Sequence, residues 1–178
     1  QFISKAKKRC ISPERLDKII QKFSYSCEKE QIFVQLANRL YHRYQYEIAK
    51  QNKIDYDDLM SQAVAVIHQQ QGDVIMPLNR EKNIILNNLK WIMIDEYQDF
   101  SELFFNLVQA LRQYNPSVRL FCVGDNWQAI NSFAGSDLRY FDSFQKYFDD
   151  VNFLDLRNNY RSQDNIVKQG NLFMKDAG

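Results

Sequence analysis

The sequence predicts an α/β protein: a parallel sheet flanked by helices and preceded by an all-helical segment. Three observations lead to this prediction. Residues 1–72 show helical periodicity and contain no strand-like run. From about residue 90 onward, short apolar runs alternate with helical patterns, as in a parallel sheet with crossover helices. Residues 69–79, with a glutamine run, Gly72 and Pro77, are loop-like and separate the two patterns.

The chain has 178 residues, of which 45% are hydrophobic, enough for one domain or two small ones. Its net charge of +1 creates no overall field that would indicate a nucleic-acid partner. Residues 1–50 differ, with eleven Lys or Arg against five acids, an excess of six. This basic segment could follow a phosphate backbone or form a solvated helix face, and its composition leaves both interpretations open.

The three cysteines show no Cys-x-x-Cys spacing and are expected to be free thiols in a reducing compartment. No apolar run reaches the length of a membrane span, and no signal-peptide pattern opens the chain. We therefore expect a cytoplasmic protein with no membrane partner.

The helical segment contains three predicted helices. Ser12 and Pro13 form a typical helix start, as N-cap and first helical residue, of a helix reaching about residue 23. Residues 28–51 carry apolar side chains every fourth position, which predicts a long amphipathic helix with an inward stripe (Ile32, Phe33, Leu36, Ala37, Leu40, Tyr41, Tyr44, Ile48). Asp55 is the expected N-cap of the next helix.

In the second part, strands and helices are expected to alternate. The predicted strands are 90–95, 118–123 and 151–156, and the predicted helices are 101–114, 136–148 and 162–175. Ser136 and Ser162 are candidate N-caps for the last two helices.

The run from Trp91 to Ile94 leads directly into two carboxylates, Asp95 and Glu96. Four consecutive apolar residues are typical of a strand buried on both faces, and the acids would then lie at its C-terminal edge. A carboxylate pair there can hold Mg²⁺ and polarise a water molecule for phosphate hydrolysis. The same acids could also serve only as the negatively charged start of the following helix.

Two further segments accompany this acidic pair. Residues 121–137 contain Gly-Asp-Asn-Trp-Gln-Ala-Ile, and residues 156–162 read Leu-Arg-Asn-Asn-Tyr-Arg-Ser. In order and spacing, the three segments resemble motifs II, III and IV of the UvrD/Rep group of superfamily 1 DNA helicases. The Asp-Asn-Trp-Gln-Ala-Ile run is most similar to the helicase IV branch.

This resemblance implies a partial RecA-like P-loop NTPase sheet preceded by a helical segment of the 1B type. It implies three parts: residues 1–72 as the 1B-like segment, 73–158 as the second half of domain 1A, and 159–178 as motif IV and the link to domain 2A. The implied activity is ATP-dependent 3′→5′ movement on single-stranded DNA, with ATP and Mg²⁺ as cofactors. A nuclease or repair protein is a further candidate partner.

For the nucleotide site, the resemblance assigns Mg²⁺ binding to Asp95 and activation of the attacking water to Glu96. Gln128 would sense the γ-phosphate, and Arg161 would neutralise its charge during bond cleavage. Tyr160 would stack on the adenine ring. Without the resemblance, Gln128 would be an ordinary polar loop residue, and Tyr160 and Arg161 would belong to a polar turn before a helix.

Gln98 completes motif II, and in the family this position belongs to the nucleotide site and links it to neighbouring motifs. Phe133 matches an aromatic residue on which a DNA base stacks, although it could instead be a buried anchor of its loop. The chain departs from the family pattern at Asn131, where tyrosine is common, and at Ala134, where arginine is common. The DNA contact at this motif is therefore expected to differ in strength or kind.

The sequence contains no Gly-x-x-x-x-Gly-Lys-Ser/Thr phosphate loop, and none of its five glycines begins one. We therefore expect an internal piece of a helicase that hydrolyses no ATP alone. The strand that carries the phosphate loop would lie between the strands predicted at 118–123 and 151–156. The alternative is a non-catalytic helicase-like module that binds DNA or a protein partner.

Overall fold

The computed structural model describes residues 1–77, 83–129 and 135–174, and the chain divides into two compact units, Gln1–Phe144 and Gln145–Gly178. The first unit combines helices with two small sheets, so the predicted α/β class is confirmed. The sheets have two strands each, which is less than a full RecA-like sheet. In the described part of the chain, no helix has both the length and the apolar composition to cross a membrane.

The helical segment consists of α1 (Phe2–Lys8), α2 (Pro13–Lys22), α3 (Glu28–Lys50) and α4 (Tyr56–Gln69). Both predicted helix starts are confirmed by capping hydrogen bonds. The Ser12 hydroxyl accepts from the Arg15 amide at 3.2 Å. The Asp55 carboxylate accepts from the Asp58 amide at 2.8 Å. These side chains satisfy backbone N–H groups that have no partner within the helix.

Helix α3 buries less of its apolar stripe than the sequence predicts. Tyr41 and Ala37 are buried, and the Tyr41 hydroxyl donates to the Ile11 carbonyl at 3.1 Å. Four members of the stripe are instead largely exposed (Ile32, Phe33, Leu36, Leu40). The prediction is wrong for these four because α1 and α2 contact α3 along the side that carries Tyr41.

A two-stranded antiparallel sheet follows the helical segment, and its first strand lies within residues 69–79, which the sequence predicted to be loop-like. Strand β1 (Ile75–Pro77) pairs antiparallel with β2 (Asn83–Ile85). Leu86, just after β2, is buried with Ile67 of α4 and Ala110 of α5 (Glu102–Tyr114). Leu86 and Val74, which flank the two strands, thus join the core that α4 and α5 form together.

Strands β3 (Trp91–Ile94) and β4 (Arg119–Cys122) pair in parallel, with Ile94 opposite Cys122. Helix α5 is the crossover between them. The two predicted strands and their parallel pairing are confirmed, but burial of β3 on both faces is wrong. Its side chains alternate, and Met93 on the exposed face is 73% accessible to solvent.

The predicted helix 136–148 is interrupted. It forms α6 (Arg139–Asp142) and α7 (Phe144–Tyr147), separated by Ser143. Ser136 is not its N-cap, because the carboxylate of Asp137 accepts the Arg139 amide at 3.1 Å and the helix begins only at Arg139. Short polar side chains that bond to nearby backbone groups compete with helix formation in this way.

In the second unit, helix α8 (Asp164–Met174) matches the predicted helix 162–175, although it begins two residues later. The predicted strand 151–156 is wrong, because these residues form no strand. Leu154 and Leu156 are largely exposed. A strand requires a neighbour for its backbone hydrogen bonds, and the described residues of this unit contain no strand for it to pair with.

Candidate functional site

Asp95 and Glu96 lie at the C-terminal edge of the β3–β4 pair, and both are exposed. Glu96 adopts a left-handed backbone conformation with φ of 51° and ψ of 46°. The Asp95 carboxylate accepts the Glu96 amide at 2.9 Å. A non-glycine residue in this conformation is uncommon, and such strain is frequent at functional sites. The sharp turn therefore keeps the acidic pair at the surface, directly after the strand.

Gln98 connects this acidic turn to the loop that follows β4. Its side chain is buried, with 3% of the residue exposed. Its Nε2 donates to Glu96 Oε2 at 2.5 Å, and its Oε1 accepts from the Asp125 amide at 2.9 Å. Both ends of the Gln98 amide thus contact protein atoms, one on each of the two loops.

The loops approach so closely at Gly124 that a larger residue does not fit. A Cβ atom at this position would lie 2.8 Å from Gln98 Oε1 and 3.0 Å from the Tyr97 backbone nitrogen. The Tyr97 amide donates to the Val123 carbonyl at 2.8 Å. The glycine at the end of β4 is therefore required for close backbone approach.

Asp125 organises the next turn, Asn126–Gln128. Its carboxylate accepts from the Trp127 amide at 3.0 Å and from Gln128 Nε2 at 2.9 Å. Because the Asp125 amide also donates to Gln98, a hydrogen-bonded chain runs from Glu96 through Gln98 and Asp125 to Gln128. Sequence reasoning did not single out Asp125. Its position directly after Gly124 at a strand end is the signal that could have identified it.

The remaining predicted site residues lie elsewhere. Asn131 and Phe133 fall outside the described residues. Tyr160 and Arg161 belong to the second unit, where both are exposed and precede α8. The Asn159 side chain accepts from the Arg161 amide at 2.9 Å. The structure thus places Asp95, Glu96, Gln98 and Gln128 on two loops that hydrogen bonds connect, and the roles of all eight predicted site residues stay predictions.

The acidic pair has no cationic partner among the described residues of the first unit. Among residues 1–77, 83–129 and 135–144, no lysine or arginine forms an ion pair with Asp95 or Glu96. The described residues also contain no cluster of three or more side chains suited to a metal ion. Mg²⁺ is commonly held by only one or two carboxylates together with water and substrate phosphates. An exposed aspartate beside a glutamate fits that mode.

A parallel strand pair with carboxylates after one strand and an amide-bearing turn after the other defines a candidate nucleotide-hydrolysing site. The model of the UvrD/REP helicase N-terminal domain matches residues 1–149. The chain belongs to this family.

Curated relatives agree with this assignment. The chain is 31% identical to DNA helicase IV of Escherichia coli strain K12 over 125 residues, which cover 70% of the chain. It is 32% identical to ATP-dependent DNA helicase UvrD1 of Mycobacterium bovis over 145 residues, or 78% of the chain. It is 28% identical to ATP-dependent DNA helicase PcrA of Staphylococcus epidermidis over 141 residues, or 79% of the chain. The matched part spans only 16–18% of the length of these relatives.

Proposed function

We propose that this chain forms part of an ATP-dependent DNA helicase that couples ATP hydrolysis to 3′→5′ movement along single-stranded DNA. Family membership supports the helicase class. The hydrogen-bonded chain from Glu96 to Gln128 supports the coupling, because it joins the acidic turn to the loop on which the predicted DNA contact lies.

In this proposal Asp95 would hold Mg²⁺, which would shield the phosphate charge of ATP. Glu96 accepts a hydrogen bond from the attacking water and orients it. Its own orientation is set by Gln98, whose Nε2 lies 2.5 Å from Glu96 Oε2. Gln98 thus belongs to the nucleotide site through its contact with Glu96.

Gln128 is the proposed γ-phosphate sensor. Its amide group is exposed and currently donates to Asp125 at 2.9 Å. An amide can donate to a phosphate oxygen without adding charge. Exchange of the Asp125 partner for phosphate would release the Asp125 carboxylate, which also holds the Trp127 amide. Loss of the phosphate after hydrolysis would restore the present arrangement, so the turn has two states.

Tyr160 and Arg161 of the second unit are proposed to stack on adenine and to neutralise γ-phosphate charge. Phe133 is proposed to stack on a DNA base, and Asn131 is proposed to take part in the same DNA contact. These roles follow from the motif positions of the four residues. An arginine at the phosphate acts only in the transition state, so its loss would lower kcat more than nucleotide affinity.

Two measurements test the proposal. We expect the 178-residue chain to bind single-stranded DNA. Because it contains no phosphate loop, we expect it to hydrolyse ATP no faster than background. A chimera, in which this chain replaces the matched segment of DNA helicase IV, should hydrolyse ATP in a DNA-stimulated manner. A folded chimera without ATP turnover, or a chain that binds no DNA, would contradict the proposal.

A second candidate function is a non-catalytic module that binds DNA or a nuclease or repair protein. This alternative requires no phosphate loop, and the 178 residues contain none. This alternative predicts that the chimera binds DNA equally well with and without Mg²⁺ and ATP, and that it hydrolyses no ATP.

A further inference from the structure

Trp127 presents a large apolar ring from a rigid turn. It is 55% exposed, and it lies between Asn126 and Gln128 in the turn after β4. The backbone of the turn is fixed, because the Trp127 amide donates to Asp125 at 3.0 Å and the Ala129 amide donates to Asn126 at 3.2 Å. A ring on a pre-ordered turn loses little conformational freedom when it binds a partner.

The second tryptophan of the chain provides an internal comparison. Trp91 is 51% exposed, almost as much as Trp127. It lies at the opposite, N-terminal end of β3, with the Arg119 guanidinium 5.5 Å from its ring centroid. Arg119 is its partner in the strand register, so the cation–π contact belongs to the sheet itself. The two tryptophans are thus similarly exposed but lie in different surroundings. Only Trp127 is next to Gln128, the proposed γ-phosphate sensor.

We infer that Trp127 is a base-stacking residue that takes a nucleobase of single-stranded DNA. The inference rests on the proposed function and adds a contact residue to it. Trp127 shares the Asp125 carboxylate with Gln128, so a base on its ring would bias the same turn that senses the nucleotide. Stacking is tolerant of sequence because every base has a π-face, which suits an enzyme that moves along DNA.

The charges around Trp127 favour a base over a phosphate as the group bound there. The carboxylates of Asp125, Asp95 and Glu96 all lie on the two loops that Gln98 joins. Their negative charge repels a phosphodiester, whereas the neutral face of a base carries no such penalty. The ring is therefore expected to contact bases, with the phosphates directed away from the acidic edge.

The test measures binding of the 178-residue chain to two fluorescent strands of about 16 nucleotides, oligo(dT) and an abasic strand with the same number of phosphates. Fluorescence anisotropy at low salt gives Kd for the wild type and for Trp127→Ala, Trp127→Phe and Trp91→Ala. We expect Trp127→Ala to raise Kd for oligo(dT) about tenfold. Trp127→Phe should retain most of the affinity, and Trp91→Ala all of it. The abasic strand should bind the wild type and Trp127→Ala equally.

A spectroscopic arm reports stacking directly. The chain contains two tryptophans, so Trp91→Phe leaves Trp127 as the sole indole. Oligo(dT) should quench its fluorescence, whereas the abasic strand should not. Titration with Mg²⁺ and ATP separates the two sources of a nucleobase: quenching by ATP with no response to oligo(dT) would overturn the assignment to DNA.

Two further results would overturn this inference alone, and a third would overturn the proposed function as well. If the wild type binds oligo(dT) and Trp127→Ala binds it equally well, the inference is overturned and the proposed function stands. Equal losses for oligo(dT) and the abasic strand also overturn it, because the ring would then act on the backbone or on the fold. If the wild type binds no DNA at all, the proposed function fails, and this inference fails with it.

Discussion

Two acidic groups in the first unit differ in what surrounds them. At the start of α4, Asp55 and Asp58 lie 2.6 and 2.7 Å from Lys7 Nζ, and the Lys7 side chain is only 4% exposed. At the end of β3, Asp95 and Glu96 are exposed, and no lysine or arginine described in the first unit pairs with them. The first group is neutralised within the fold, whereas the described residues of the first unit offer the second group no cationic partner.

Additional hydrogen bonds strengthen the group formed by Lys7, Asp55 and Asp58, which we call the helical cluster. The Tyr44 hydroxyl donates to Asp55 at 2.8 Å, and the Ser4 hydroxyl donates to Asp57 at 2.9 Å. Burial alone would raise the pKa of Asp55, but its bonds from Lys7, the Asp58 amide and Tyr44 outweigh burial and lower that pKa. The hydrogen bond to Asp55 raises the pKa of Tyr44 to about 12. This group thus connects α1, α3 and α4.

The contrast also separates two kinds of acid that look alike in the sequence. Both groups follow an apolar or loop residue and precede a helical turn, so either could be a cap. Only their surroundings distinguish the acids that pair with a lysine from the acids that stay exposed at the end of β3. Four experiments test this distinction.

The largest effect is expected from Glu96→Gln in the helicase IV chimera. Removing the base that orients water should lower kcat by about 100-fold or more, with little change in the thermal stability of the protein. Steady-state ATPase assays with single-stranded DNA and a thermal melt measure both. Glu102→Gln, at the start of α5, is the matched control and should retain activity. A full-activity Glu96→Gln variant would remove Glu96 from the catalytic role.

The second-largest effect is expected from Lys7→Met, which removes the cation of the helical cluster. It leaves two partly buried carboxylates without their cation and should lower the free energy of unfolding by roughly 3 kcal/mol. Urea unfolding of the 178-residue chain measures this loss. Lys18→Met changes an exposed lysine of α2 and should stay within about 0.5 kcal/mol of the wild type. A Lys7→Met variant as stable as wild type would show that the cluster contributes no net stability.

An intermediate effect is expected from Gln98→Ala. The substitution removes the bond to Glu96 and leaves the Asp125 amide without its acceptor, which should cost about 1–3 kcal/mol of stability. In the chimera it should also lower kcat, because Glu96 loses the group that orients it. Gln98→Glu keeps an acceptor for the Asp125 amide but repels Glu96. It should therefore recover part of the lost stability without restoring kcat. Unchanged kcat in Gln98→Ala would argue against the positioning role.

The smallest effect is the pH dependence of the helical cluster. Because the pKa of Asp55 is lower in the folded protein, its ionised form stabilises the fold above the ordinary carboxyl pKa of about 4. That stability is lost as pH falls through the lowered folded value. Asp55→Asn retains an N-cap side chain but cannot ionise. The stability difference between wild type and Asp55→Asn, about 1 kcal/mol near neutral pH, should therefore shrink below pH of about 4. A difference that is constant with pH would contradict this.

Local chemistry was sufficient to predict several elements. The capping side chains Ser12 and Asp55 act within three residues, so their roles can be read from the chain. The apolar runs ending at Ile94 and Cys122 predicted β3 and β4, and parallel pairing followed from the helix between them. The placement of Asp95 and Glu96 at a strand end is of the same kind, because it depends only on adjacent residues.

Other features depended on neighbours that the sequence does not specify. Residues 151–156 have strand-like composition, yet no strand forms without a partner in their unit. Helix α3 has an apolar stripe wider than the surface that α1 and α2 cover. The helix predicted at 136–148 begins only at Arg139, because Asp137 bonds to the Arg139 backbone amide two residues away. In each case the contacts available from the rest of the fold decided whether the predicted element formed or was buried.

Apolar patterning and motif order are local properties of the chain, so the family, the parallel strand pair and the position of the carboxylates after β3 could be predicted from the residues alone. The hydrogen bond between Gln98 and Asp125, 27 residues apart, and the pairing of Lys7 with Asp55 and Asp58 became known only from the folded structure. Such pairs form only when packing brings distant backbone segments together and removes the water that would otherwise satisfy them.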